Sequence, residues 1–449
     1  MKPKYELPRE MTVRELSAYL RVHPSTVYRL LRRGEIPKTE WPQGRGVIHT
    51  LPGGGCLKGN TGLDEAIVKA GATVSTPIND FGLRLLRALT DGSGKNVIVS
   101  PLSVSLALAM TCNGAAGDTR TAIAKTLGAA SLTDEAINRN SRLLLDMLEK
   151  GDAAVQMEIA NALWTQLGFP IKPDFLKLNR DFYDASVESL DFEGNPRNAV
   201  NAINAWVNDK THAKIPAILS DVSRATVLVL ADAVYFKGRW SMPFDKKKTE
   251  TRTFHLPGGN SVDAPMMIRT DWFPYFEDDI FQAIRLPYGN HQFGMYVFLP
   301  RKPSGLPDFL RTLDQPHWSE WTGKLEQRNG RIVLPKFKST YSEGLNDALK
   351  SMGMDIAFQG NADFSRIHPP PPPLRISEVK HKTYVKVDEE GSEAAAATSV
   401  GMMRWSATHN MGGPPPFEMV VDHSFFLAIA EQQSGALLFA GVVTDPTQR

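Results

Sequence analysis

Between Lys382 and Ala430 the chain leaves a strand and returns to strands across a stretch that no ordinary connection explains. Lys382-Thr-Tyr-Val-Lys-Val387 alternates with the two-residue period of a strand. Asp388-Glu-Glu-Gly391 ends it, Ser392-Glu-Ala-Ala-Ala-Ala-Thr398 follows, and strand patterns return only at Phe417-Glu-Met-Val-Val421 and Phe425–Ala430. A loop of roughly 25–30 residues inside a compact domain is abnormal unless it is functional. Four alanines favour a helix, so a helical or flexible connector is the plain alternative. The run nevertheless joins strands and is flanked by Gly391 and Gly401. In an extended conformation Ser392, Ala394, Ala396, Thr398 and Val400 face one side together and Glu393 faces the other. The inward side chains are small, and no charge falls on their face before Arg404. The spacing predicts a segment able to become a strand within an existing sheet.

Such a sheet needs a large domain around it. The chain has 449 residues, 42% hydrophobic, enough for one large domain plus an appendage and too apolar for general disorder. Val104–Thr111 carries no charge, which predicts a helix buried on most sides. Asn96–Val99 is a short strand stopped by Ser100-Pro101, Thr226–Phe236 a long apolar strand, and Gln282–Pro300 a pair of strands around Tyr288-Gly-Asn-His291. Helix and strand patterns mix without βα alternation, so the class is α+β. Pro369–Pro373 reads as a rigid surface insertion.

Catalytic patterns are absent. There is no Walker loop, no GxGxxG, HExxH, GxSxG or CxxC, and ten scattered histidines show no metal-ligand spacing, so the chain reads as a non-enzyme without metal or cofactor. Cys56 and Cys112 are too few for a disulfide framework. With no apolar leader and no run of 18 apolar residues, the expectation is a cytoplasmic protein that contacts no membrane.

Charge singles out the N-terminus. Residues 1–50 hold ten Lys/Arg against five Glu, whereas the other residues are slightly acidic within a total of +2. Thr12-Val-Arg-Glu15 is a capping box; Val13, Leu16 and Leu20 form the stripe of a first helix, and Val27, Leu30 and Leu31 that of a second ended by Gly34. Ser25, Thr26, Tyr28, Arg29, Arg32 and Arg33 stay on the second helix, the arrangement of a helix-turn-helix that touches DNA. The string Met11–Pro37 resembles the excisionase family of small winged-helix DNA-binding domains, though Trp41-Pro-Gln-Gly-Arg-Gly46 departs from its wing. The other reading is a basic helix pair with a solvated face. The expected organisation is this module over 1–45, a Gly-rich linker with a brief Leu63–Ala70 helix over 46–75, and a large domain over 76–449.

The large domain resembles the serpin family, at the hinge Glu389–Thr398 and at Asn96-Val-Ile-Val-Ser-Pro-Leu-Ser103, Ile203-Asn-Ala-Trp-Val207, Tyr235-Phe-Lys-Gly-Arg-Trp240, Ala362-Asp-Phe-Ser365, His381-Lys382 and Asp422–Leu427. The resemblance implies three sheets, about nine helices and an exposed reactive-centre loop. It implies a suicide inhibitor of serine, or alternatively cysteine, proteases, whose cleaved loop inserts into the main sheet. The hinge is then Glu389, Gly391, Ser392, Glu393, Ala394, Ala395, Ala396, Ala397 and Thr398. A shutter controlling sheet opening comprises Ser100, Ser103, His381 and Asp232, the last standing where the family commonly has Asn. Counting about 17 residues from Glu389, the family's usual spacing, places the bait bond at Trp405–Ser406, suited to a chymotrypsin-like or subtilisin-like protease. A shift of one residue gives Arg404–Trp405 and a trypsin-like target. The alternative is a non-inhibitory domain serving as sensor or scaffold for a DNA-binding regulator; in either case a monomer is expected.

Overall fold

The structure is a computed structural model that describes residues 10–12, 47–49, 61–90, 94–149, 152, 154–392 and 415–448. Strands β1 (Glu10–Thr12) and β2 (Val47–His49) form an antiparallel ladder with Met11 opposite Ile48. Thr12 therefore has the extended backbone an N-cap needs, while the two helices expected after it lie outside the described residues. The ladder corrects the assignment of 46–75 to a linker. Val47 and Ile48 are a β-branched pair that finds a partner strand.

The second correction is α1 (Thr61–Leu89), one 29-residue helix that carries the brief Leu63–Ala70 helix straight across the boundary expected at 75/76. Pro77 lies inside it and costs about 3 kcal/mol in an isolated helix. Burial offsets that cost, because Val74 is buried and Phe81, Leu85 and Leu86 are inaccessible to solvent. Asn79 also donates to the Gly435 carbonyl at 2.8 Å and accepts from the Leu437 amide at 2.9 Å.

The chain continues through β3 (Val97–Val99), α2 (Pro101–Cys112), α3 (Gly117–Thr126), α4 (Asp134–Glu149), β4 (Val155–Gln166), α5 (Pro173–Tyr183), β5 (Ser186–Leu190), α6 (Pro196–Lys210) and β6 (Leu228–Arg239). Next come β7 (Glu250–His255), β8 (Ser261–Glu277), β9 (Phe281–Tyr288), β10 (Phe293–Pro300), α7 (Leu306–Thr312), α8 (Gln315–Gly323), β11 (Glu326–Pro335), β12 (Phe337–Gly344) and α9 (Asn346–Leu349). The last strands are β13 (Lys380–Asp388), β14 (Gly391–Ser392), β15 (Phe417–Val420), β16 (Phe425–Glu431) and β17 (Leu437–Val443). The predicted chargeless helix is α2. Pro101 opens it, Ser100 caps it by accepting from the Ser103 amide, and every residue but Ala107 is buried.

One sheet runs β15-β11-β8-β9-β10-β16-β17-β3, with β7 also on β8. The third sheet of the expected set is its continuation. The 17-residue β8 pairs with β7 through Ser261–Met266, with β11 through Met266–Tyr275, and with β9 only through Tyr275–Glu277. The other sheet runs β12-β13-β14-β6-β4-β5. Since β14 is antiparallel to both β13 and β6, those two long strands are parallel to each other. Among the described residues only Gly391 and Ser392 bridge them.

Candidate functional site

The site occupies both ends of β13, about 23 Å apart by strand rise. At the far end the chain turns through Asp388–Gly391 and re-enters the sheet. Phe244 donates its amide to the Glu389 carbonyl at 2.8 Å, Trp240 its amide to the Glu390 carbonyl at 3.0 Å, and the Trp240 indole N–H reaches the Asp388 carbonyl at 2.9 Å. The turn is thus held mainly through its backbone.

Glu389 points inward. Its carboxylate, 6% exposed, accepts from Lys336 Nζ at 2.8 Å and from Thr249 Oγ1 at 2.7 Å. Burial pushes this carboxyl up, but the hydrogen bonds from Lys336 and Thr249 outweigh it and leave the group below the ordinary Glu value. Glu390 pairs outward with Lys246. Gly391 has φ +153°, and a Cβ there would lie 2.0 Å from the Gly238 carbonyl oxygen and 2.9 Å from Arg239 Cα. Only glycine fits between two backbones at that spacing. Ser392 is buried and hydrogen-bonds to the Tyr288 hydroxyl, whose ring stacks on Trp240 at 4.5 Å with planes 9° apart. Burial pushes the Tyr288 phenol well above its ordinary value, so it remains neutral.

Of the expected hinge, Glu389, Gly391 and Ser392 meet here, all three buried. Glu393–Thr398, Arg404, Trp405 and Ser406 lie outside the described residues, as do Ser25, Thr26, Tyr28, Arg29, Arg32 and Arg33. Lys336, Thr249 and Tyr288 were missed. They come from three separate stretches of chain and carry no local spacing signal.

At the other end of β13, His381 Nε2 accepts the Ser100 amide at 3.0 Å. Two residues on, Thr383 Oγ1 donates to the Ile98 carbonyl at 2.6 Å. Ser103 joins through its amide, which donates to Ser100 Oγ at 3.2 Å. Asp232 lies on β6 opposite Asn161 of β4; its side chain is outside the described ones. Accepting a backbone N–H requires His381 to be neutral at Nε2, and burial lowers its pKa from 6.5 to about 4. The unfolded chain takes up this proton below about pH 6.5, whereas the folded chain resists until about pH 4. The contribution is therefore whole above pH 6.5 and shrinks by roughly 3 kcal/mol as pH falls through that window. Urea unfolding at pH 7.5 and 4.5 is expected to show the loss, and His381→Gln, which keeps an acceptor for Ser100, to flatten it.

No group of three or more His, Cys, Asp or Glu suited to a metal occurs among the described residues, and no helix there is long and apolar enough to cross a membrane. The arrangement is a strand slot with a polar latch at its mouth and a buried histidine at its base.

Comparison with known proteins follows the same lines. The Serpin (serine protease inhibitor) family profile matches residues 76–446, and a helix-turn-helix domain profile matches 10–48. An uncharacterised serpin-like protein of Thermococcus kodakarensis is 35% identical over 83% of this chain and 86% of its own length. Serpin-Z7 of Hordeum vulgare is 33% identical over 82% of this chain and 94% of its own. Among solved structures, the thermophilic serpin tengpin in its native state superposes with TM-score 0.75 at 29% identity, covering 83% of this chain and 94% of that one. Human thyroxine-binding globulin complexed with its hormone gives 0.76 at 27%, covering 84% and 100%.

Proposed function

The chain belongs to the serpin family, and on that premise we propose that it inhibits a serine protease irreversibly by offering its loop as a bait. The observation that carries this reading is β14: Gly391 and Ser392 already lie between β6 and β13 in antiparallel register with each. In this mechanism the protease serine attacks the Trp405 carbonyl, the peptide bond to Ser406 breaks, and Ser406 leaves with a free amine. The protease remains esterified to Trp405 while the loop extends β14, with Ala394, Ala396, Thr398 and Val400 on the buried face Ser392 already occupies. Insertion gives β6 and β13 antiparallel ladders to a new strand, the more stable pairing. It also satisfies strand-edge donors and acceptors along β6 and β13.

Trp405 fits the apolar specificity pocket of a chymotrypsin-like or subtilisin-like enzyme; the register one residue earlier, Arg404, fits a trypsin-like one. Incubation with chymotrypsin, subtilisin and trypsin, read on denaturing gels, is expected to give a covalent band at the summed mass with one of the first two. The mass of the released C-terminal peptide then places the cleaved bond. Cleavage without complex across a wide protease panel is the result that moves the assignment to a non-inhibitory sensor or scaffold.

The match over 10–48 favours a second role, tethering to DNA through Ser25, Thr26, Tyr28, Arg29, Arg32 and Arg33. Its test is a DNA mobility shift that weakens steeply with salt and vanishes when residues 1–50 are deleted. This reading places a monomeric inhibitor in the cytoplasm. Burial pushes the Cys112 thiol up to about 11 and keeps it unreactive.

A further inference from the structure

A cavity of about 740 Å³ lies between the C-terminal turn of α1, α7, the β7–β8 turn and the ends of β3 and β17. Its size falls within the range of small-molecule sites. Val97, Leu256, Leu310 and Val442 give it apolar walls. Among the described residues no acidic one lines it, whereas Arg87, Lys95 and Arg311 do. Arg311 is engaged by Asp308. The side chains of Arg87 and Lys95 have neither a hydrogen bond nor an ion pair among the described residues. Asp314, the carboxylate that feels Arg87, caps α8 by accepting from His317 and does not line the cavity.

We infer that this cavity binds a small amphipathic carboxylate, with the apolar body against Val97, Leu310 and Val442 and the carboxylate toward Arg87 and Lys95. The apolar walls supply affinity without direction, and the cationic rim sets the sign of the headgroup. A cationic amphiphile of equal length meets like charge at the rim and is rejected. Nothing in this inference depends on protease inhibition.

The test is isothermal titration of the full chain with decanoate, decanol and decyltrimethylammonium, each below its micelle concentration. Decanoate is expected to bind saturably at one site, at least tenfold more tightly than the trimethylammonium compound. Arg87→Gln should weaken decanoate about tenfold and leave decanol unchanged. Leu310→Trp, which fills the cavity, should remove both; Leu256→Trp on the β7–β8 turn serves if the buried substitution impairs folding. No saturable decanoate binding, equal affinity for the cationic compound, decanoate affinity unchanged in Arg87→Gln, or binding that survives both filling variants overturns the inference.

Discussion

Replacing Gly391 by Val is expected to abolish the proposed inhibition and leave the chain a substrate. The added Cβ would fall 2.0 Å from the Gly238 carbonyl oxygen, and both obstructing groups, that carbonyl and Arg239 Cα, are backbone. Neither can swing aside as a side chain does. The φ of +153° adds strain of its own, because residues with a Cβ rarely adopt it. The first pair of an inserted strand then fails to form, and the rest of the loop has no ladder to extend. Protease should still cleave the loop but escape by hydrolysis. The number of chains consumed per protease trapped should rise at least tenfold on titration, with the cleavage rate little altered. An unchanged yield of covalent complex in Gly391→Val would mean that insertion does not begin at β14.

Glu389→Lys should have the largest effect on the resting fold. The substitution removes the acceptor for Lys336 and Thr249 and sets a second ammonium beside Lys336 at a buried position. Breaking a buried pair by changing one partner costs about 3–5 kcal/mol, and the partial exposure of Lys336 puts this site at the low end. A fall of about 4 °C in melting temperature follows for a domain of this size. A second consequence concerns the sheet. With its mouth unlatched, the slot between β6 and β13 presents unpaired edges that a strand from another copy can fill. Size-exclusion chromatography after mild warming should show linked copies in Glu389→Lys and far fewer in Glu389→Lys/Lys336→Glu, where the pair is restored with its charges exchanged. A double variant as prone to linking as the single one would remove the latch from the explanation.

Legibility in the sequence followed the range of each interaction. The chargeless run became α2, the apolar pair around Tyr288 became β9 and β10, and the alternation at Lys382–Val387 became β13 with Val385 and Val387 buried. These elements announce themselves because burial repeats along one strand or helix. The latch did not, since Thr249, Lys336 and Glu389 are neighbours only after three strands are in place. The Gly-rich composition of 46–75 misled in the opposite direction, since Gly62 and Gly71 lie inside a helix that tertiary contacts hold together. Val47–His49 is three residues long, too short for periodicity to register, and only its partner at Glu10–Thr12 defines it.

The closure of β3 onto β17 also sets a timetable. The Thr444 amide donates to Asn96 Oδ1 at 2.8 Å across 348 positions of sequence, and Ile98 lies opposite Gly441 in the ladder. A ribosome adding about 5–20 residues per second takes roughly 17–70 s to cover that span. Throughout that interval β3 waits without its partner strand, and the large domain cannot complete its core before the last strand has left the exit tunnel. The ladder between Glu10–Thr12 and Val47–His49 needs no such wait. One polypeptide therefore has two birthdays, with the ladder between Glu10–Thr12 and Val47–His49 able to pair while most of the serpin domain is still untranslated.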